Sequence, residues 1–218
     1  YTGLLVRDEK WWSQRVLADK SHIAVSYNNK DEAEGYIIYN VKENKLTIKE
    51  MAFVSLNGWK LLLQFIANHD SMAKIVSIIV PENDSLPLLL HEPTFDQKVV
   101  PYFMARIVDV FAFFKQYEFR HNNTSTPLVL HVEDEFFKKN SGTYELKLKN
   151  EKIHVTYNQR SEDEAELHCS VQMLTTMLLG YSRPLELHRV GLLQGDIKSI
   201  EQLENLIPIQ QPFFADFF

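Results

Sequence analysis

The stretch His22–Ser55 decides the fold of the first half of the chain, and it reads HIAVSYNNKDEAEGYIIYNVKENKLTIKEMAFVS. Three runs rich in β-branched and aromatic residues cover residues 22–27, 33–40 and 46–55. Polar residues rich in Asn, Asp, Glu and Lys separate these runs, as is typical of strands joined by tight turns. The stretch therefore predicts a three-stranded antiparallel meander.

Helix and strand patterns on either side of the meander extend it into a domain. Asp8 stands where an N-cap would begin a helix that runs to Leu17. Apolar residues at helical spacing predict a second helix over Asn57–His69, and the run Ile75–Val80 predicts a strand closed by Pro81. A meander followed by a helix and another strand indicates an α+β domain.

The end of this domain is predicted near residue 120. Val99–Val108 has the pattern of a further strand, and Val110–Lys115 that of a compact helix. His121–Thr126 is polar, rich in turn-forming residues and without periodicity, which is typical of a linker. We therefore predict two domains, residues 1–122 and residues 123–218.

Regular patterns return in the second half of the chain. The segments with strand patterns are residues 128–132, 144–148, 152–157 and 165–169. The second and third of them are expected to form a hairpin. Ser170 can cap a helix that ends at Leu179, with Gly180 just past its end, and a capping box at Ser199–Gln202 predicts a last helix. The second domain is therefore also predicted to be α+β.

Composition and charge exclude several classes of protein. The net charge is −6 and no segment carries a basic stripe, which argues against a nucleic-acid partner and favours cationic ones. The longest apolar runs, such as Leu86–Leu90, are far below the roughly 20 residues of a membrane helix. No secretory leader opens the sequence, and the single cysteine, Cys169, has no disulfide partner and is expected to be a buried structural thiol. A cytoplasmic protein is expected.

Motifs for common catalytic and metal chemistry are missing from the sequence. There is no G-x-S-x-G, no G-x-x-x-x-G-K and no G-x-G-x-x-G, which excludes a nucleophile elbow, a P-loop and a dinucleotide fingerprint. His91-Glu92 is followed by Pro93 without a second His, and the other histidines stand at spacings that predict no metal cage. A solvated loop is the simpler interpretation of the acidic run Ser161–Glu166, although such a run can bind a hard cation. No metal site is predicted.

The last seven residues, Pro212–Phe218, are unusually aromatic for a chain terminus. Four exposed phenylalanines would favour aggregation, so burial against another surface is expected. Packing into a core explains this pattern as well as a functional role does. If the tail is buried to its last residue, the α-carboxylate of Phe218 enters a partly desolvated site, where its pKa rises and it can act as a base.

Several segments, in order along the chain, resemble the enhanced-intracellular-survival (Eis) family. Gly35–Tyr39, Leu46–Ala52 and Arg106–Val110 resemble its second, acetyltransferase-like domain. Asn140–Leu146 resembles the sterol-carrier-protein-like domain that closes those proteins, and Pro212–Phe218 is similar to their C-terminus. The resemblance implies a degenerate GNAT-like (Gcn5-related N-acetyltransferase-like) domain followed by an α+β domain of the sterol-carrier type.

The family also has an N-terminal GNAT domain that holds the acetyl-CoA site, and no segment of this chain resembles it. The resemblance therefore implies the C-terminal portion of an acetyl-CoA-dependent N-acetyltransferase, inactive by itself. In an active GNAT domain, a glycine-containing loop presents backbone amides to the pyrophosphate. The corresponding junction here, Val54–Lys60, has one glycine followed by the bulky Trp59. We expect no cofactor-binding residue in this chain.

The resemblance transfers one catalytic group to this chain, the terminal carboxylate, which in the family acts as the base on the substrate amine. That role falls on Phe218, with Asp216 and Phe217 as predicted substrate-binding residues. Family members that acetylate aminoglycosides have an acidic penultimate residue, whereas Phe217 is apolar, so aminoglycoside specificity is not implied.

The expected partner is an amine-bearing small molecule or peptide, not nucleic acid or a membrane, and the intact protein is expected to be a homo-oligomer. From a different class, the alternative hypothesis is a sterol-carrier-type module that binds an apolar ligand without catalysis. A third hypothesis is a structural oligomerisation piece.

Overall fold

The computed structural model describes residues 1–90, 92, 94–120, 126–149, 152–158, 165–214 and 216. The chain forms two compact units. The N-terminal unit comprises Leu5–Gln97 with Asp216 from the last four residues, and the C-terminal unit comprises Lys98–Phe214 with Tyr1–Leu4. The units change over between residues 97 and 98, upstream of the predicted boundary at 122/123. Residues 121–125, most of the predicted linker, lie outside the described residues.

The N-terminal unit is built on a four-stranded sheet in the order β1-β2-β3-β4. Its strands are β1 (His22–Tyr27), β2 (Ala33–Lys42), β3 (Lys45–Phe53) and β4 (Ile75–Ile78). Its helices are α1 (Glu9–Trp11), which continues as a π-helical turn (Trp12–Val16), α2 (Leu56–Ala67) and the short α3 (Leu86–Leu89). The first three strands pair antiparallel, which confirms the predicted meander, and β4 lies parallel to β3.

Local chemistry explains why this sheet forms. Glu43 and Asn44, between β2 and β3, both have positive φ (53° and 60°), as a two-residue type I′ hairpin turn requires. One sheet face contributes Ile37, Leu46 and Ile48 to a core that Leu62 of α2 completes. The alternation of side chains along the strands therefore leaves the other face of the sheet without this helix.

The C-terminal unit contains a five-stranded mixed sheet in the order β7-β6-β5-β8-β9. Its strands are β5 (Leu128–Glu133), β6 (Gly142–Lys149), β7 (Lys152–Asn158), β8 (Leu167–Ser170) and β9 (Leu193–Gly195). Its helices are α4 (Val110–Gln116), α5 (Val171–Leu178), α6 (Pro184–Arg189) and α7 (Ile197–Leu206), and a 3-10 turn covers Lys138–Asn140. β6 and β7 pair antiparallel, which confirms the predicted hairpin.

The core of the C-terminal unit includes a helix that the sequence pattern assigned to the first domain. Val110 and Phe114 of α4 are buried in one cluster with Leu130, Leu146 and Leu174. Because α4 presents its apolar side to β-strands of the second half, residues 98–120 fold with that half of the chain.

Three local predictions can be compared directly with the structure. The prediction that Ser170 caps α5 is confirmed, since its Oγ accepts a hydrogen bond from the Met173 N–H at 3.3 Å. The predicted capping box at Ser199–Gln202 is wrong, because α7 begins one turn earlier and Asp196 accepts from the Lys198 and Ser199 amides. The helix α6 was not predicted.

The predicted strand Val99–Val108 is also wrong, since residues 99–107 have no regular secondary structure and residue 108 is a bend. Pro101 cannot donate to a β-ladder. Val99 and Met104 are 70% and 100% exposed, so this apolar pattern is not the signature of a half-buried strand. Among the described residues, no helix is long and apolar enough to cross a membrane.

Candidate functional site

The sheet face opposite α2 in the N-terminal unit carries an open groove of about 380 Å³, here called the sheet groove. Its walls are mainly apolar side chains, among them Trp12, Ile23, Val25, Tyr36, Ile38 and Phe53. Concave, largely apolar sites with a few polar groups at their edge are typical of small-molecule binding sites. Polar groups that converge at the edge of this groove would complete such a site.

A partly buried polar network adjoins the sheet groove and centres on the guanidinium of Arg7. Its Nη1 and Nη2 donate to the two carboxylate oxygens of Glu50 on β3, at 2.8 and 2.7 Å. The Tyr36 hydroxyl donates to the same carboxylate. The guanidinium carbon of Arg7 lies 4.9 Å from the centroid of the Trp12 ring. Trp12 and Tyr36 belong to both the groove and the network, so the two features form one site.

The remaining edge of the guanidinium binds the C-terminal segment of the chain. Arg7 Nε lies 2.9 Å from Asp216 Oδ1 and 3.2 Å from Oδ2. The Trp11 indole Nε1 donates to Asp216 Oδ1 at 3.0 Å. The Asp216 side chain is only 4% exposed. Arg7 therefore bridges a carboxylate of the sheet and a carboxylate of the tail, which lie 166 residues apart in sequence.

The protonation states in this network follow from burial and charge. The hydrogen bond to Glu50 is the main cause that raises the pKa of Arg7, so the guanidinium stays charged although burial opposes it. Burial, followed by the hydrogen bond to Glu50, raises the pKa of Tyr36 above its ordinary value. Tyr36 is therefore a hydrogen-bond donor at neutral pH and not a base.

The predicted site residues are placed as follows. Asp216 is buried and paired with Arg7 and Trp11. The predicted base, the terminal carboxylate of Phe218, and its neighbour Phe217 lie outside the described residues. The tail before them is held in the C-terminal unit, where the Phe213 N–H donates to the Thr2 carbonyl at 2.9 Å.

Sequence reasoning missed Arg7, Glu50 and Tyr36 as members of the site. A usable signal was present, since an aspartate among four phenylalanines has to be paired if the segment is buried. The sequence does not say which of its basic residues supplies the pair, because the contact spans 209 positions. The pairing register of β2 and β3 brings Tyr36 and Glu50 together, and this register cannot be read from the sequence alone.

Gly58 has a packing role at the junction between β3 and α2, the junction that would correspond to a phosphate-binding loop. Ser55 caps α2 by accepting from the Gly58 N–H at 2.9 Å. A Cβ atom added at Gly58 would lie 2.5 Å from the carbonyl oxygen of Glu34. Trp59 is buried and its ring stacks on Phe53, with centroids 4.7 Å apart. The glycine thus permits close approach of the helix to the start of β2.

Two further sequence expectations concern metals and thiols. Within the described ranges, no three His, Cys, Asp or Glu residues converge as metal ligands would. Cys169 is buried, and burial raises the pKa of its thiol to about 12. The prediction that Cys169 is a buried structural thiol is therefore confirmed, and it is not a nucleophile at neutral pH.

Family comparisons divide the chain in two. Residues 3–107 match the acetyltransferase (GNAT) domain, and residues 110–215 match the sterol carrier protein domain. This agrees with the predicted fold, a GNAT-like domain followed by a sterol-carrier-protein-like domain. No curated protein matches the sequence.

Solved structures resemble the whole chain. A conserved Enterococcus faecalis protein described as a probable N-acyltransferase is 26% identical with a TM-score of 0.88, over 99% of this chain and 55% of that one. A GCN5-related N-acetyltransferase from Anabaena variabilis is 26% identical with a TM-score of 0.76, over 92% of this chain and 52% of that one. Eis1 from Mycobacterium abscessus shares the fold at 21% identity, with a TM-score of 0.75, over 100% of this chain and 57% of that one. The chain thus spans about half the length of these structures.

Proposed function

We propose that this chain, which consists of a GNAT-like acetyltransferase domain followed by a sterol-carrier-protein-like domain, is the C-terminal portion of an acetyl-CoA-dependent N-acetyltransferase. The observation that carries the proposal is the match of nearly the whole chain to half of two N-acyl- or N-acetyltransferase structures. The acetyl-CoA site lies in a further domain, because Gly58 and Trp59 occupy the junction where a phosphate cradle would be needed. The chain by itself is inactive.

The substrate in this proposal is a small molecule or peptide that presents a primary amine. A protonated amine must lose a proton before its nitrogen can attack the acetyl carbonyl. In this proposal the terminal carboxylate of Phe218 accepts that proton, and Asp216 and Phe217 contribute to substrate binding, Asp216 from its buried position beside Arg7. Acetyl-CoA supplies the acetyl group as a thioester, so one N–C bond forms and one C–S bond breaks. A second proton of the amine passes to the leaving thiolate, and the products are the N-acetylated amine and free CoA.

Charge and composition support a cationic substrate. The chain has a net charge of −6, and an excess of negative charge raises the encounter rate with cations. In this proposal the intact protein is a cytoplasmic homo-oligomer. Light scattering of the intact protein would contradict the last point if it found a monomer at all concentrations.

Calorimetry with acetyl-CoA tests the location of the cofactor site. The 218-residue chain should show no binding up to millimolar ligand, whereas the protein extended by an upstream acetyltransferase domain should bind. Micromolar binding to the 218-residue chain alone would contradict the proposal. An acetylation assay with a panel of amines on both proteins then tests the reaction itself.

A second candidate function rests on the match of residues 110–215 to the sterol carrier protein domain. In this alternative, the C-terminal unit holds an apolar ligand and no catalytic partner exists. Solvent extraction of the purified protein followed by mass spectrometry tests it, with a denatured sample as the control. Absence of any stoichiometric apolar molecule would count against this alternative and leave the acetyltransferase proposal intact.

A further inference from the structure

We infer that the sheet groove binds amphipathic amines, that is, small molecules with an aromatic or branched apolar body and a protonated nitrogen, and that Glu34 gives the groove its preference for positive charge. The groove lies entirely within the N-terminal unit. Its volume of about 380 Å³ is in the range of small-molecule sites, about 300–1,000 Å³. Binding is therefore a property of this unit, and only the acetylation of a bound amine rests on the proposed function.

Paired residues of three strands form the apolar floor of the groove. Val25 of β1 pairs with Tyr36 of β2, and Tyr36 pairs with Ala52 of β3. Ile23 pairs with Ile38 on the same face, because side chains two residues apart on a strand share a face. Ile23 and Val25 are 52% and 42% exposed. Contiguous exposed apolar surface of this kind marks a site of interaction with a ligand or partner.

A π-helical turn builds one wall of the groove. The Leu17 N–H donates to the Trp12 carbonyl, five residues back along the chain, at 2.9 Å. In an α-helix, residues five positions apart point about 140° away from each other, because each residue turns the helix by about 100°. The wider turn brings Trp12 and Leu17 to one side, and both line the groove. Single π-helical turns are rare and lie frequently at functional sites, so this turn supports a ligand site here.

Charge at the groove favours a cation over an anion. Glu34 is the only acidic side chain among the described residues that line the groove, and none of these is Lys, Arg or His. One oxygen of the half-buried Glu34 accepts from the side-chain amide of Asn57 at 2.6 Å. In the adjoining network, Arg7 already donates to Glu50 and Asp216, so two negative charges outweigh its positive charge. A bound cation therefore gains from Glu34, whereas a bound carboxylate would be repelled.

Aromatic side chains add to this preference and define the body of the ligand. Trp12 and Tyr36 line the groove and contact each other edge to face, with ring centroids 6.1 Å apart. The face of an aromatic ring attracts a cation, and its apolar area packs against an apolar ligand. A purely polar polyamine would leave the apolar floor uncovered. The lining therefore fits an amine that carries an apolar body.

An NMR titration of the 218-residue chain tests the site without any catalytic assay. The probe is 3-phenylpropylamine, with 3-phenylpropanol as its neutral counterpart and 3-phenylpropionate as its anionic one. The amine should bind saturably at neutral pH with a Kd on the order of 1 mM. It should bind about 3- to 5-fold more tightly than the alcohol, because a solvent-accessible ion pair contributes about that much. The amide signals of Val25, Tyr36 and Ala52 should shift.

Three variants separate the charge of Glu34 from the shape of the groove. Glu34→Gln keeps an oxygen that can accept from Asn57, and it should weaken the amine about 3- to 5-fold while leaving the alcohol unchanged. Glu43→Gln makes the same change in net charge at the opposite end of β2, where the side chain is 84% exposed, and should bind the amine like the parent chain. Ala33→Phe fills the groove from an exposed position and should weaken both ligands by about 10-fold or more.

Three results would overturn the inference. They are the absence of saturable shifts up to about 20 mM amine, equal affinity for the amine and the alcohol, and shifts confined to residues 128–206. The last of these would favour the apolar-ligand alternative for the C-terminal unit.

Acetylation of the same probe by the protein that includes the upstream domain separates this inference from the proposed function. If the 218-residue chain binds 3-phenylpropylamine at the groove and the extended protein does not acetylate it, the binding site stands and the proposed reaction is wrong for this class of amine. If amines are acetylated and none binds at the groove, this inference is overturned and the acetyltransferase proposal stands.

Discussion

Replacing Arg7 by methionine is the sharpest stability test of the polar network. Arg7→Met keeps an unbranched side chain of similar length but removes the charge that pairs with Glu50 and Asp216. Both carboxylates are largely buried, with side-chain exposures of 16% and 4%. Removing one member of a buried ion pair costs about 3–5 kcal/mol, since an uncompensated charge is left behind. We therefore expect a loss of about 3–5 kcal/mol in the free energy of unfolding of the N-terminal unit.

Urea unfolding followed by tryptophan fluorescence, excited at a wavelength that tyrosine does not absorb, can measure this loss selectively. All three tryptophans, Trp11, Trp12 and Trp59, belong to the N-terminal unit, so the signal reports on that unit alone. A unit of 60–100 residues loses roughly 4–8 °C in Tm for each kcal/mol, so a thermal scan gives an independent value. The two measurements should agree if unfolding of the unit is two-state.

Matched variants decide whether the cost comes from unpaired charge. Neutralising both partners in the Arg7→Met background, with Glu50→Gln and Asp216→Asn, should recover a large part of the loss, because no buried charge then remains. Lys42→Met removes one member of the exposed Lys42–Glu43 pair and should leave the urea midpoint unchanged within error. If Arg7→Met lowers the free energy of unfolding by less than about 1 kcal/mol, the reasoning is refuted, because an exposed ion pair contributes no more than that.

Three further predictions concern the rest of the chain. Arg183→Met removes the ion pair to Glu204 and the hydrogen bonds to carbonyls at the end of α7. Unfolding followed by circular dichroism should show that the free energy of unfolding falls by about 2–3 kcal/mol. A fall below about 1 kcal/mol would count against this capping role. Burial raises the pKa of Cys169 from 9.0 to about 12. Its contribution to stability is therefore complete below the unfolded pKa and is lost as pH rises towards 12, so the urea midpoint should fall between about pH 8 and pH 10.5. Rapid thiol labelling of the native protein at about pH 8 would contradict the burial. Gly58→Ala would place a Cβ atom 2.5 Å from the Glu34 carbonyl oxygen. Although alanine is the better helix former, urea unfolding should show that the variant is less stable by about 1–3 kcal/mol. A neutral or stabilising effect would show that α2 can move away from β2.

The elements predicted correctly from the sequence are those fixed by local chemistry. The meander follows from alternation and from turn residues that accept positive φ, as Glu43 and Asn44 do. The cap at Ser170 follows from a hydroxyl that satisfies a free amide of the first helical turn. Both depend on residues within a few positions of each other, so neighbouring sequence is enough.

The elements that were missed depend on tertiary contacts. The apolar pattern of Val99–Val108 matches a strand, yet no partner strand pairs with it in the described structure, and a β-ladder needs a partner. At the start of α7, both Asp196 and Ser199 can cap. The Asp196 side chain accepts from the Lys198 and Ser199 amides, whereas the Ser199 side chain is buried within the first helical turn. Local signals offered the alternatives, and packing decided between them.

The candidate site shows the same division. The aromatic tail predicted a buried C-terminus: Asp216 is buried, Phe213 and Phe214 are half-buried, and Phe217 and Phe218 lie outside the described residues. Its partner, Arg7, lies near the opposite end of the chain, and Arg7 is in turn bound to Glu50 of β3. No spacing rule connects residues 209 positions apart, so this part of the site required the structure.

Amidation of the C-terminus tests the central claim most directly, that the terminal carboxylate at Phe218 acts as the base. The protein that includes the upstream acetyltransferase domain would be prepared by ligation with either a free or an amidated Phe218, so that only the carboxylate differs. The account predicts that the amidated protein keeps its Tm and its affinity for acetyl-CoA but loses turnover by a factor of about 100 or more. Equal turnover of the two proteins would contradict it.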